Sequence, residues 1–131
     1  MNDDALVFSE RRCGDVLVLA VGGRIDHNSA PVFQARLRRY LVNCSADGDA
    51  LVIDMAPLDY ISSAGLRVFM IMAREVKANK GRLALAALQP VVREIFDISK
   101  FTLLFDIHPS VEAALAAVAL SSAGGSAARE Q

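Results

Sequence analysis

Ala50-Leu-Val-Ile-Asp-Met55, followed after a short linker by Asp59-Tyr-Ile-Ser-Ser-Ala-Gly-Leu-Arg67, is the stretch that decides the fold. The first six residues are too few for an independent helix, and they read as a central strand buried on both faces. After Pro57 and the serine pair, apolar residues recur with helical spacing for roughly four turns. That segment ends near Ala78-Asn-Lys-Gly-Arg82, where Gly81 is the expected C-terminal stop. A strand delivered straight into a helix is half of a parallel crossover unit.

Working outward, residues 5–12 and 15–21 read as two short strands joined at Cys13-Gly14-Asp15, a hairpin turn. The paired glycines Gly22-Gly23 read as a tight exit from the second strand. A helix follows, with Asn28 or Ser29 as its cap and Pro31 in its first turn. Val32, Phe33, Leu37, Tyr40 and Leu41 lie at helical spacing along it. Beyond the central segment, Leu83–Leu88 is the next strand and Pro90 starts a short helix with Val92, Ile95 and Phe96 facing inward. Phe101–Ile107 reads as a last strand, and Pro109 opens a terminal helix carrying Val111, Leu115 and Val118. The predicted order is β-β-α-β-α-β-α-β-α. Such alternation demands parallel pairs with right-handed crossovers, and the initial hairpin makes the sheet mixed, with helices packed against it. One α/β domain over residues 1–120 is expected, with 121–131, which lacks large apolar residues, as a disordered tail.

Composition narrows the function classes. With 53% hydrophobic residues in 131, the chain can bury a real core. Fourteen basic against 15 acidic side chains give a net charge of −1, which leaves no electrostatic footprint for nucleic acid. Arg36, Arg38 and Arg39 fit a solvated helix face. Cys13 and Cys44 have neither disulfide nor metal-ligand spacing, and two isolated thiols suit a reducing compartment. No signal-like start is visible, and the longest apolar runs are too short to span a bilayer. A cytoplasmic location and no membrane span are therefore expected.

The chemistry concentrates at Ser62 and Ser63. A nucleophile elbow needs Gly-x-Ser-x-Gly, but the five residues centred on Ser63 are Ile61-Ser-Ser-Ala-Gly65. A nucleophilic serine also needs a base, and His27 and His108 are the only histidines. A hydrolase using Ser63 and His27 is thus the weaker alternative. Gly22-Gly23 matches neither phosphate-binding glycine pattern. A helix cap explains one serine. The same helix start also favours a phosphoryl group, by roughly 0.3–2 kcal/mol. Along the helix, a 100° wheel puts Leu66, Phe69, Met70, Ala73 and Val76 on the core side. It puts Arg67, Ile71, Arg74 and Ala78 opposite, with Val68 and Glu75 adjoining. Val68 and Ile71 are candidate exposed apolar residues beside a modifiable serine, a pattern of partner docking; cover by a neighbouring helix is the plainer alternative.

Residues 51–115, with Ile61-Ser-Ser-Ala-Gly-Leu66 at their centre, resemble the anti-sigma factor antagonists, the single-domain class of STAS proteins. Leu19–Leu37, with Gly23-Arg24-Ile25-Asp26 after the second strand, resembles the N-terminal half of that family. The likeness runs from about Ala5 to about Leu120. It implies a non-enzymatic regulator that, unphosphorylated, binds an anti-sigma factor that is itself a serine kinase, releasing a sigma factor or other target. It further implies that the kinase modifies a serine at the helix start, consuming ATP itself so that this chain needs no cofactor, and that a serine phosphatase restores the active form. By position Ser63 is the implied phosphoacceptor, with Ser62 as runner-up. Ser62 stands where the family commonly has aspartate, and Ala64 replaces a second hydroxyl. Asp26, Ser62, Ser63, Gly65, Arg67, Val68 and Ile71 are the implied partner-contact residues, and Asp59 is a candidate substitute for the lost charge. A STAS subunit of a lipid-transport complex is the alternative within the fold.

Overall fold

The computed structural model describes residues 6–45 and 48–118. The elements are β1 (Leu6–Cys13), β2 (Val16–Ile25), α1 (Ala30–Leu41), β3 (Ala50–Asp54), β4 (Leu58–Ile61), α2 (Ser63–Ala78), β5 (Leu83–Ala86), α3 (Pro90–Ile98), a 3-10 turn (Phe101–Leu103) and β6 (Ile107–His108). A last helix, α4, covers 111–118. The expected tail at 121–131 lies outside the described residues.

The sheet is mixed, in the order β1-β2-β3-β5-β6, with β4 also on β2. β1 and β2 form the antiparallel hairpin, turning at Gly14 with φ +66°. The β2–β3, β3–β5 and β5–β6 pairs are all parallel. Alternation then divides the side chains. Leu17, Leu19, Leu51, Ile53 and Leu85 face the larger core beneath α1, α2 and α3. Val16, Val18, Ala50, Val52, Ala84 and Ala86 face the opposite side, where Ala114 and Val118 of α4 cover them. Fully burying such side chains stabilises by about 1.5–3 kcal/mol each for the larger ones.

All six phenylalanines form one connected chain through the larger core. Phe8 of β1 meets Phe33 of α1, Phe33 meets Phe69 of α2 at 5.3 Å between centroids, and Phe69 meets Phe96 of α3 edge to face at 5.7 Å. Phe101 and Phe105 close the far end. The tilted and edge-on geometries are those that the ring quadrupole favours.

Four expectations change. Leu58–Ile61, which has no element in the predicted order, is a strand pairing parallel with Gly23–Ile25. The glycine pair does not end β2 but lies inside it, where the register shifts between Gly23 and Arg24. A Cβ on Gly22 would meet the Pro57 Cβ at 2.9 Å, and Gly23 adopts φ +101° while its N–H donates to the Pro57 carbonyl at 3.0 Å. The pair is therefore where β2 exchanges β3 for β4 as its neighbour. Phe101–Ile107 is not a continuous strand, because Phe101 and Phe105, spaced by one helical turn, both fold inward and leave Leu103 exposed. Finally, Lys80, not Gly81, takes the left-handed position after α2, with φ 58°. The Lys80 N–H donates to Lys77 O and the Gly81 N–H to Val76 O, a Schellman ending. Gly81 matters instead for close approach, since a Cβ there would come 2.8 Å from the Cys44 carbonyl oxygen.

Candidate functional site

The start of α2 is fastened to the sheet. β4 ends at Ile61, and the next backbone N–H, that of Ser62, donates to the Ile25 carbonyl at 2.7 Å. Ser62 is extended, with φ −91° and ψ 175°, and its Oγ accepts the Gly65 N–H at 3.3 Å. This is an N-cap, satisfying one of the four N–H groups that a helix start leaves without intrahelical acceptors. Ser63 is the first helical residue and is exposed. Among the described residues its hydroxyl makes no hydrogen bond. The two neighbours thus have different surroundings: one hydroxyl is engaged by the fold, the other faces solvent.

Asp26 lies in the β2–α1 loop beside this point. Its Oδ1 accepts from the Asn28 N–H at 3.0 Å, the Ser29 N–H at 2.9 Å and the Ser29 hydroxyl at 3.1 Å. The backbone hydrogen bond from Ser29 is the main reason its carboxyl titrates below the usual carboxylate range, with further help from the Ser29 hydroxyl, the Asn28 N–H and the nearby His27 charge. Ser29 is the helix cap by position, but its side chain makes no capping bond. Its single hydroxyl proton lies between two acceptors, the Arg24 carbonyl and Asp26 Oδ1, while its oxygen accepts from the Asp26 N–H. Asp26 therefore organises the turn into α1.

The outer face of α2 differs from the expected wheel. Its buried residues are Gly65, Leu66, Val68, Phe69, Met72 and Val76, while Met70, Ile71 and Ala73 are half-buried. The stripe is rotated toward α1, which packs alongside. Val68, a candidate for exposure, is only 5% exposed and shares a cleft with Leu37 and Leu41 of α1, so for it the alternative of cover by a neighbouring helix holds. Gly65 is also buried, held between Ile25 and Ile61. Along its first three turns α2 leaves Ser63, Arg67 and Arg74 open, with Met70 and Ile71 partly covered, and Lys77 and Ala78 are exposed in its last turn. Two grooves flank this strip. One runs toward α1 and is lined by His27, Pro31, Gln34, Ser63, Arg67 and Ile71. The other runs toward the 3-10 turn, between Ser63, Arg67, Met70, Arg74 and Phe101.

His27 and Ser63 share the first groove, but no hydrogen bond joins them. The Asp26 Oδ1 that would orient a catalytic histidine points into its own loop. Asp59 is exposed on β4 and lies 3.4 Å from Nε2 of Gln89, which also donates to the Ala56 carbonyl at 2.6 Å. Gln89, just ahead of α3, thus ties that helix to the segment leading into the serines. Sequence spacing carries no signal for this contact, because the partners are 30 and 33 residues apart. Among the described residues, no three His, Cys, Asp or Glu side chains gather as a metal site, and no helix is long and apolar enough to cross a membrane.

Comparison with known proteins places this architecture. The STAS domain family model matches residues 10–114. BtrV of Bordetella bronchiseptica, provisionally named an anti-sigma factor antagonist, is 49% identical over 67 residues, spanning 51% of this chain and 58% of BtrV. The anti-sigma-B factor antagonist of Bacillus subtilis is 35% identical over 92 residues, spanning 70% of this chain and 81% of that protein. Among solved structures, an anti-sigma factor antagonist from Mycobacterium paratuberculosis superimposes with a TM-score of 0.78 at 23% identity, covering 89% of this chain and 97% of that one. A hairpin-led mixed sheet, a capped serine pair opening the second helix and these matches lead to one conclusion: the chain belongs to the STAS-domain family of anti-sigma factor antagonists.

Proposed function

We propose that this protein is a phosphoserine-gated partner switch. Unphosphorylated, it binds an anti-sigma factor that is also a serine kinase and so releases that factor's sigma factor or other target. The strip formed by Ser63, Arg67, Ile71 and Arg74, with Asp26 at its margin, is the docking face. Ser63 is the phosphoacceptor. The observation that carries this choice is the division of labour between the serines: Ser62 Oγ is held by the Gly65 N–H, while Ser63 is exposed.

In the modifying step a bond forms between Ser63 Oγ and the γ-phosphorus of ATP. The bond from that phosphorus to the β–γ bridging oxygen breaks, ADP leaves, and the hydroxyl proton passes to a base of the kinase. A serine phosphatase reverses the modification by hydrolysis. The chain itself acts through binding and supplies no catalysis. A dianion at the first turn is compatible with the helix, so its effect falls on the partner through repulsion and desolvation.

The test is capture of the partner from the native cell, incubation with that partner and ATP, and phosphosite mass spectrometry. Modification of Ser63 is the expected result. Modification of Ser62 alone would shift the acceptor by one residue, and absence of phosphorylation would remove the gate.

A further inference from the structure

We infer that Arg67 is the internal counter-ion of a phosphoryl group on Ser63, so that modification withdraws a cation from the docking face while adding an anion. This rests on the assignment of Ser63 as acceptor. Ser63 and Arg67 are four residues apart in α2, hence neighbours one turn from each other on the same face. Both line the groove toward α1, and both line the groove toward the 3-10 turn. The acid-first, base-second order is the favourable one for such a pair.

Several other arginines are already engaged. Arg12 pairs with Asp49, Arg82 with Asp15 and Arg93 with Asp97, while Arg24 lies over Tyr60 and Arg36 over Phe8. Arg67 is exposed and, among the described residues, makes no ion pair and no side-chain hydrogen bond. Its planar fork can meet two phosphate oxygens at once, as a lysine cannot. In the unmodified protein that fork is available to an anionic group of the partner. After modification the phosphate competes for it.

Phosphoserine placed at position 63 by genetic-code expansion, without any kinase, gives the direct measurement. The second ionisation of the phosphate is followed by 31P NMR, and the Arg67 Nε–H by 1H–15N NMR. Because an imidazole titrates in the same range as a phosphomonoester, His27→Asn is present in both arms. The phosphate midpoint should rise by about 0.3 unit or more on Arg67→Gln. Arg67→Lys should recover part of the difference, and ~1 M salt should erase it. The Arg67 Nε–H should shift with the same midpoint as the phosphate. Equal phosphate midpoints with and without the Arg67→Gln substitution, or an Arg67 Nε–H that ignores the phosphate titration, would overturn the inference. This readout is separate from partner capture: an intact pair in a protein whose partner ignores the phosphate would refute the gate and leave the counter-ion standing.

Discussion

Gly65 stands so close to Ile25 that a Cβ built on it would lie 2.6 Å from Ile25 Cγ2, and 2.7 Å from Ile61 Cγ1 on its other side. Both isoleucines are almost wholly buried and β-branched, so neither can swing aside. The first turn of α2 can sit against the ends of β2 and β4 only because residue 65 has no side chain.

Gly65→Ala should therefore destabilise the fold. Helix propensity would gain up to about 1 kcal/mol, against an overpacking cost of about 1–3 kcal/mol. A net loss is expected in urea denaturation, with a lower Tm. A stabilised variant would mean that the isoleucines yield and that the close contact is not limiting.

Ser62→Ala should cost about 1 kcal/mol, the usual loss for a helix cap. Ser63→Ala should stay within about 0.5 kcal/mol, as at an exposed position without partners. Denaturation of the two variants side by side distinguishes them. Equal losses would contradict the separate environments of the two hydroxyls.

Ser63→Asp puts a carboxylate at the first helical residue, where the helix dipole favours it by about 0.3–1 kcal/mol. Thermal stability should hold or rise slightly. Binding to the captured anti-sigma partner should nevertheless fall by about tenfold or more, while Ser63→Ala binds without regulation. Calorimetry with both variants checks this, and undiminished binding by Ser63→Asp would count against the gate.

Asp26 predicts a pH dependence. Its folded pKa is depressed below the ordinary value by its loop hydrogen bonds. The associated stability is present above the unfolded-state pKa, near 3.9, and is lost as pH falls through the lower folded value. Asp49, held down chiefly by its hydrogen bond from Arg12, acts in the same direction. Asp26→Asn should flatten the acid limb of a stability-versus-pH curve below about pH 4. An unchanged limb would show that the Asp26 charge contributes nothing there.

The parts of the fold legible in sequence were those with a local signature. Ala50–Asp54 announced itself by an unbroken apolar run, and Pro31 and Pro90 marked helix starts. β4 carried no such mark, since four residues with Asp59 exposed have neither alternation nor length. It exists because Gly22 and Gly23 let Pro57 come close to β2, a contact between distant segments. The same limit applies at the site. The exposure of Arg67 followed from the helical wheel, but the burial of Val68 did not, because it depends on where α1 lies. The family resemblance ranked Ser63 above Ser62 by position alone; the Ser62–Gly65 bond adds the physical difference between the two hydroxyls.

The hydrogen bond from Ser62 to the Ile25 carbonyl has a kinetic corollary. Opening this helix start would have to break a bond to a sheet strand as well as those within the helix. A group on Ser63 is presented to solvent at the pace of side-chain rotation, in picoseconds to nanoseconds. A partner that reads such a group would meet it by diffusional encounter, whose rate depends on ionic strength when charge is involved.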